Sequence, residues 1–240
     1  IYAVLTATAV PAWSVCTSST TGVSDLFDCN GNDSASINYS TNNKLYSQLS
    51  NWTLTDGTIT LQSSDNINAQ ADNISVNNEN YSGRAIFLTG DKDISLNIAS
   101  GTIFNKGAPS IQITSANGNI NISNGADITT LGNYAHGLEL NLGNGSALNI
   151  TNSGLITTNG TYSYGIYAQA NSTGNIKTNI ANTGTIETFN VNTYGIYINS
   201  RAGGETTISN HGDIILHGNV YAKGIYSQSL ADDTSVIINN

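Results

Sequence analysis

The stretches YGIY at residues 164–167, YGIY at 194–197 and KGIY at 223–226 repeat one another along the chain. A weaker copy, HGL, lies at residues 136–138. The glycines of the four copies are spaced 28, 30 and 29 residues apart. A nearly fixed period of this length is the signature of an array in which each unit stacks on the next.

Two further motifs repeat in phase with the first. The form Asn-x-Gly-x-Ile occurs at residues 152–156, 182–186 and 210–214. A short apolar motif ends four residues before each of these glycines, at Ile150, Ile180 and Ile208. Each repeat therefore holds three short apolar segments, which are separated by turns rich in Asn, Gly, Ser and Thr.

These apolar segments alternate apolar residues with small or polar ones, which is the periodicity of a strand. They are too short and too rich in glycine for the helices of tetratricopeptide or ankyrin arrays. Three strands and three turns per repeat predict an all-β fold: a right-handed, single-stranded parallel β-helix (β-solenoid) with three strands per coil. About eight coils, at the ~4.8 Å spacing of neighbouring strands, would give a rod near ~40 Å long.

Three rows of aliphatic side chains are predicted to line the interior of the rod. The first row is Leu138, Ile166, Ile196 and Ile225, the second is Ile128, Ile156, Ile186 and Ile214, and the third is Ile122, Ile150, Ile180 and Ile208. Each fully buried side chain contributes about 2 kcal/mol. Stacked asparagine side chains can add hydrogen bonds along the rod axis.

The repeats carry one surface feature that favours a binding function, a set of tyrosines. Tyr167, Tyr197 and Tyr226 each follow an inward isoleucine by one residue, so strand alternation turns them outward. Tyr164 and Tyr194 lie nearby in the sequence. These five residues are the candidate surface-binding site, because a row of exposed tyrosines suits contacts with sugars or proteins. The alternative is that the stacked rings only stabilise the rod.

The composition argues against a helical fold, against disorder, and against a nucleic-acid or anionic-membrane partner. Only 10% of the 240 residues are charged, the net charge is −9, and 35 residues are asparagine. Asn-, Ser-, Thr- and Gly-rich sequence disfavours helices, and a 38% share of hydrophobic residues disfavours disorder. Seven lysines and arginines without a cluster are too few for a nucleic-acid partner, and the same argument disfavours an anionic membrane.

Three regions are predicted along the chain. Residues 1–12 are apolar and end in small residues, which fits either the remnant of a signal peptide or an N-terminal cap strand. Residues 13–50 are expected to form an N-terminal capping region. Residues 51–240 carry the β-helix repeats and stop in mid-repeat, so we expect the native protein to continue.

The only two cysteines, Cys16 and Cys29, lie 13 positions apart and precede the repeats. In an exported protein they are expected to pair, and closing so short a loop contributes about 3 kcal/mol. A metal site is the weaker alternative, because two cysteines without a nearby histidine are too few ligands for zinc.

The repeats, Asn-x-Gly-x-Ile-x-Thr followed by Gly-Ile-Tyr, resemble the passenger domains of bacterial autotransporters. The resemblance is clearest over residues 94–240 and weaker over 52–93, and the segment with Cys16 and Cys29 resembles the start of a passenger just after signal cleavage. It implies a Gram-negative protein that is exported and reaches the cell exterior through its own C-terminal outer-membrane β-barrel, which these residues do not include. Such proteins are often adhesins or other virulence-associated surface proteins, and some are released. The family shares a scaffold rather than one site, so no binding residue carries over.

The sequence offers only weak candidates for catalytic or metal-binding residues. A serine protease needs a Gly-Asp-Ser-Gly-like motif with His and Asp partners, and the sequence has none. The acids Asp91 and Asp93 lie near Arg84 and Lys92, but solvated turns explain them, as they explain a second acidic pair at 232–233. His211 occupies a corner position and is interpreted as a turn residue. No catalytic residue, metal ligand or cofactor is predicted.

These observations predict a non-enzymatic rod, exposed at the cell surface or secreted, that binds a protein or glycan of a host or neighbouring cell. The chain is expected to be a monomer. A β-helical carbohydrate-active enzyme (a lyase or glycosidase) and a pure structural spacer are the alternatives.

Overall fold

The computed structural model describes residues 14–21, 24–33, 36–145, 147–171, 174–201, 203–218, 220–231 and 234–240. The predictions for residues 1–12 and for the acidic pair at 232–233 lie outside the described residues. The described residues form 24 strands and their connecting turns, and the solenoid strands pair in parallel. The predicted parallel β-solenoid is therefore confirmed.

The strands lie on three faces, which we call sheets 1, 2 and 3. Sheet 1 contains β2 (Ser24–Asp33), β4 (Lys44–Thr55), β6 (Ile67–Asp72), β9 (Ile94–Ile98), β12 (Ile120–Asn124), β15 (Ala147–Asn152), β18 (Ile176–Asn182), β21 (Gly204–Asn210) and β24 (Thr234–Asn239). Sheet 2 contains β7 (Ile74–Asn78), β10 (Gly101–Asn105), β13 (Asp127–Thr130), β16 (Ile156–Thr158), β19 (Ile186–Thr188) and β22 (Ile214–Leu216). Sheet 3 contains β3 (Ile37–Thr41), β5 (Ile59–Ser63), β8 (Ile86–Gly90), β11 (Ile111–Ser115), β14 (Leu138–Leu142), β17 (Ile166–Ala170), β20 (Tyr194–Ser200) and β23 (Lys223–Ser229).

The solenoid has six complete three-strand turns, from β6 to β23, rather than the eight that the sequence predicts. The difference arises at the N-terminal end. There β4 runs without a break from sheet 1 into sheet 2, pairing with β6 and then with β7. Its corner is made within the strand by Asn51, whose φ is 49°. The boundary at residue 50 between the capping region and the repeats remains a prediction, and β4 continues across it.

The N-terminal end is closed by a hairpin. Strand β1 (Ser14–Thr21) pairs with β2 in antiparallel fashion and places Cys16 opposite Cys29. The two residues form the predicted disulfide. Phe27 of β2 is buried, and its ring stacks on that of Tyr39 in β3 at a centroid distance of 4.9 Å. The hairpin thus covers apolar surface that the first turn cannot bury by itself.

The three predicted rows of aliphatic residues are confirmed. Leu138, Ile166 and Ile196 pair directly across β14, β17 and β20 and are fully buried. The row continues to Ile225 on β23, which is half-buried in the last turn of sheet 3. The other two rows keep the same register through sheets 2 and 1. The repeat period alone fixes this register, because a slip by one residue would turn every apolar side chain outward.

The glycines of the Gly-Ile-Tyr motif are required by the close approach of successive turns. A Cβ atom at Gly165 would lie 2.7 Å from the carbonyl oxygen of Gly195 and 2.3 Å from Cγ2 of Ile186. A Cβ atom at Gly195 would meet Gly224 and Ile214 in the same way. Distances under 3 Å leave no room for a side chain, so the motif keeps glycine at this corner.

An internal asparagine ladder runs along the corner between sheets 1 and 2. The ladder consists of Asn124, Asn152, Asn182, Asn210 and Asn240, and each amide nitrogen donates to the amide oxygen of the next member at 2.8 Å. Nδ2 of Asn152 and Nδ2 of Asn182 also donate to the carbonyl oxygens of Gly154 and Gly184. The ladder therefore satisfies corner carbonyls that water cannot reach. The expected hydrogen bonding between stacked asparagines is confirmed.

Candidate functional site

The five tyrosines predicted as a surface site lie together on the outside of sheet 3. We call Tyr164, Tyr167, Tyr194, Tyr197 and Tyr226 the tyrosine ridge. Tyr167, Tyr197 and Tyr226 pair directly across β17, β20 and β23. Neighbouring ring centroids within the ridge lie 4.9–5.8 Å apart. This is the range in which aromatic pairs attract one another beyond simple burial.

Two further residues extend the ridge at its ends, and the sequence argument did not assign them to it. The ring of His136 lies 4.7 Å from that of Tyr164 and 4.9 Å from that of Tyr167. At the other end, Nζ of Lys223 lies 4.1 Å from the ring centroid of Tyr226. Both residues immediately precede the glycine of the motif, as Tyr164 does. Aligning this position across the copies was the signal that could have found them.

The ridge is less exposed than an isolated row of tyrosines would be. All five rings are half-buried, and their neighbours above and below cover much of each ring face. The hydroxyl of Tyr167 donates to Oε1 of Gln169 at 3.2 Å. The ridge therefore stabilises the rod by mutual stacking, while each of its tyrosines stays partly exposed.

A row of amide side chains runs beside the ridge. Asn141, Gln169, Asn199 and Gln228 pair across four successive strands of sheet 3, two residues after the outward row of the ridge. Amides supply both donors and acceptors, whereas the tyrosines supply hydroxyls and apolar rings. Sheet 3 thus carries an aromatic strip and a polar strip side by side along the rod axis.

Burial sets the protonation states in this region. Burial raises the pKa of Tyr164 to about 12, and it raises the pKa values of Tyr167 and Tyr197 as well. Burial lowers the pKa of His136 to about 4. Nδ1 of this neutral imidazole accepts a hydrogen bond from the backbone N–H of Tyr164 at 3.1 Å. The charged residues near the ridge are Lys223, over the ring of Tyr226, and Glu139 and Arg201, which act on the pKa of Tyr167 in opposite directions.

The charged residues considered from the sequence do not come together. Nζ of Lys92 pairs with Asp65 at 3.1 Å, and the guanidinium of Arg84 lies 4.6 Å from the ring centroid of Phe87. Oδ1 of Asp93 accepts the backbone N–H of Asn119 at 2.7 Å. Within the described ranges, no group of three or more His, Cys, Asp or Glu residues could hold a metal ion.

His211 lies at an exposed corner, where its backbone N–H donates to the carbonyl of Asn182 at 2.8 Å. The same kind of bond is made by Ser153 and Thr183 at the equivalent corners. The interpretation of His211 as a turn residue agrees with this placement. In the part of the chain that the structure describes, no helix is long and apolar enough to cross a membrane.

No protein-family model, curated protein or solved structure matches the chain. The parallel solenoid itself is compatible with the autotransporter passenger architecture that the repeat motifs resemble.

Proposed function

We propose that this chain is a non-enzymatic interaction rod of the autotransporter passenger type, displayed at the surface of a Gram-negative cell or released from it. Its role is that of an adhesin or other virulence-associated surface protein, which binds a protein or glycan of a host or neighbouring cell. The observation that carries the proposal is the tyrosine ridge with its parallel row of amides.

The chemistry of sheet 3 supports a binding role. Tyrosine combines a rigid apolar ring with a hydroxyl, so it loses little conformational entropy on binding. The hydroxyls of Tyr164, Tyr167 and Tyr197 are protonated at neutral pH, as those of tyrosines ordinarily are, and can donate hydrogen bonds. From His136 to Tyr226 the strip covers four turns, or roughly 15 Å along the axis. An extended glycan or an extended peptide segment matches a strip of that length.

The test separates binding from stabilisation. Tyr167→Phe, Tyr197→Phe and Tyr226→Phe, combined in one protein, keep the stacked rings but remove three hydroxyls. We expect an unchanged melting temperature and a drop of about tenfold in binding to epithelial or bacterial cells, measured by flow cytometry with labelled protein. The control changes Asn121, Asn149 and Asn179 to Ser. These residues form an equally regular row on the outside of sheet 1.

Two outcomes would contradict the proposal. If the triple Phe protein binds as the parent does, and Tyr197→Ser lowers only its stability, the ridge is purely structural and the rod is a spacer. Release of reducing sugar from plant or host polysaccharides by the parent protein would favour a carbohydrate-active enzyme instead. Surface display is tested separately, by protease treatment of intact cells that express the full-length protein.

A further inference from the structure

The turns that lead into sheet 3 share an unusual backbone feature. Tyr134, Tyr162, Asn192 and Tyr221 have φ values of 58°, 56°, 55° and 53°. The backbone N–H groups of Tyr134, Tyr162 and Asn192 donate to the carbonyls of Thr161, Val191 and Val220 in the next turn, at 3.0, 3.4 and 3.0 Å. The four residues are therefore stacked in register at one corner of the rod.

Tyrosine is a costly choice at this corner. A left-handed conformation in a bulky residue costs on the order of 1–3 kcal/mol, whereas asparagine adopts it more readily. Burial does not offset the cost, since Tyr134, Tyr162 and Tyr221 are 63%, 40% and 74% exposed. Asn192 shows that the corner can be built without an aromatic ring. Strained, exposed aromatic residues of this kind point to a function outside the fold itself.

The spacing of the rings leaves a gap in the row. The rings of Tyr134 and Tyr162 are stacked, with centroids 5.2 Å apart and planes at 3°. These two rings belong to successive turns, and they are thus about one strand spacing apart along the rod axis. Tyr221 stands two turns beyond Tyr162, so roughly 10 Å separates their positions along the axis. The intervening turn carries Asn192, whose side chain is shorter than that of tyrosine, so no aromatic ring stands at this position between the two tyrosines.

We propose that this gap, the Tyr162–Tyr221 slot, binds one neutral pyranose ring of a glycan. A pyranose presents C–H groups on its faces and hydroxyls at its rim. A gap of about two strand spacings places one tyrosine face on each side of such a ring at about 5 Å. The amide of Asn192, in the turn between the two tyrosines, supplies one donor group and one acceptor for the rim hydroxyls.

Charge favours a neutral sugar over an acidic one. The chain carries a net charge of −9, and an anionic sugar would meet repulsion on approach. The three residues of the slot, Tyr162, Asn192 and Tyr221, are uncharged and offer an anionic sugar no ion pair. The slot is separate from the tyrosine ridge, since none of its three residues belongs to the ridge.

The probes are the methyl glycosides of glucose, galactose and N-acetylglucosamine, with binding followed by ligand-observed NMR on the intact chain. We expect at least one glycoside to bind with a Kd on the order of 1 mM. Tyr162→Asn and Tyr221→Asn should each weaken binding by about tenfold or more. Asn192→Tyr should abolish it, because a fourth ring would fill the slot.

The matched control is Tyr134→Asn. Tyr134 has the same backbone conformation and stacks on the face of Tyr162 that is turned away from the slot, so affinity should stay within about twofold. The Tyr→Asn variants should fold normally, because asparagine tolerates the positive φ better than tyrosine.

Three results would overturn the proposal. One is the absence of binding by any of the three glycosides at tens of millimolar. Another is equal loss of binding in Tyr134→Asn and Tyr162→Asn. The third is preferential binding of free indole, used as a planar aromatic probe, which would make the slot a site for an aromatic side chain of a protein.

Discussion

The internal asparagine ladder allows the sharpest prediction of stability, through the variant Asn152→Ala. Asn152 is fully buried and makes three hydrogen bonds. Its Nδ2 donates to the carbonyl of Gly154 at 3.0 Å and to Oδ1 of Asn182 at 2.8 Å, while its Oδ1 accepts from Asn124 at 2.8 Å. Alanine removes all three bonds. The carbonyl of Gly154 and Oδ1 of Asn182 lose the bond that Asn152 donates, and Nδ2 of Asn124 keeps only its bond to the carbonyl of Ala126.

The magnitude follows from those unpaired groups. Each buried donor or acceptor that loses its partner costs about 1–3 kcal/mol, and the small cavity left by the amide adds to the loss. We expect Asn152→Ala to lower the free energy of unfolding by about 3–5 kcal/mol. The matched control is Asn149→Ala, three residues earlier in β15. Asn149 also hydrogen-bonds to its neighbours above and below, at 2.7 and 2.8 Å, but on the outside of the rod. Water can replace those bonds, so a loss of about 0.5 kcal/mol is expected.

The assay is urea unfolding followed by far-ultraviolet circular dichroism, with both variants compared at an unchanged m-value. A lower midpoint for Asn152→Ala and a nearly unchanged midpoint for Asn149→Ala support the account. Equal losses in the two variants, or a loss below about 1 kcal/mol for Asn152→Ala, would refute the reasoning that the internal ladder satisfies otherwise unpaired groups.

Three further predictions concern other parts of the rod. The pKa of His136 is lowered from 6.5 to about 4, so the unfolded chain binds a proton more tightly than the folded one. The free energy of unfolding should therefore be highest above pH 6.5 and fall by about 3 kcal/mol as the pH drops to 4. Urea unfolding across that pH range should show that His136→Phe loses most of this dependence. Gly195→Ala should destabilise the rod by about 3 kcal/mol in thermal unfolding, because the new Cβ would lie 2.6 Å from the carbonyl of Gly224. Gly224→Ala, at the equivalent place in the last turn of sheet 3, should be nearly neutral, since its Cβ would meet Cγ2 of Ile214 at 3.8 Å. Reduction of the Cys16–Cys29 disulfide should lower stability by about 3 kcal/mol and speed hydrogen exchange in β1 and β2, and an unchanged exchange rate there would count against a capping role.

Much of the fold could be predicted because the repeat period determines which residues pair between successive turns. Once the glycines at 165 and 195 are aligned, Ile166 must stack on Ile196 and Tyr167 on Tyr197, and the structure pairs them in this way. The number of turns was wrong, because the strand β4 fuses two faces and carries no repeat motif. Local sequence gives no sign that a strand will continue through a corner.

The candidate site was only partly predictable. Strand alternation places the ridge tyrosines outward, but it says nothing about how far their rings cover one another. His136 and Lys223 were missed because each differs in type from the tyrosines that it extends. The left-handed conformation of Tyr134 and Tyr221 has no signature in the sequence, since tyrosine rarely adopts it.

Engineered disulfides would test most directly whether successive turns stack in parallel register around one apolar interior. Lys177 and Glu205 face each other on the outside of β18 and β21, in the register that also pairs Ile180 with Ile208 inside. Neighbouring strands about 4.8 Å apart bring such a pair within disulfide range. The account predicts that Lys177→Cys with Glu205→Cys forms a disulfide in high yield. Lys177→Cys with Thr207→Cys, two residues out of register, should not, and efficient cross-linking of that pair would contradict the stacking on which the fold and both proposed sites depend.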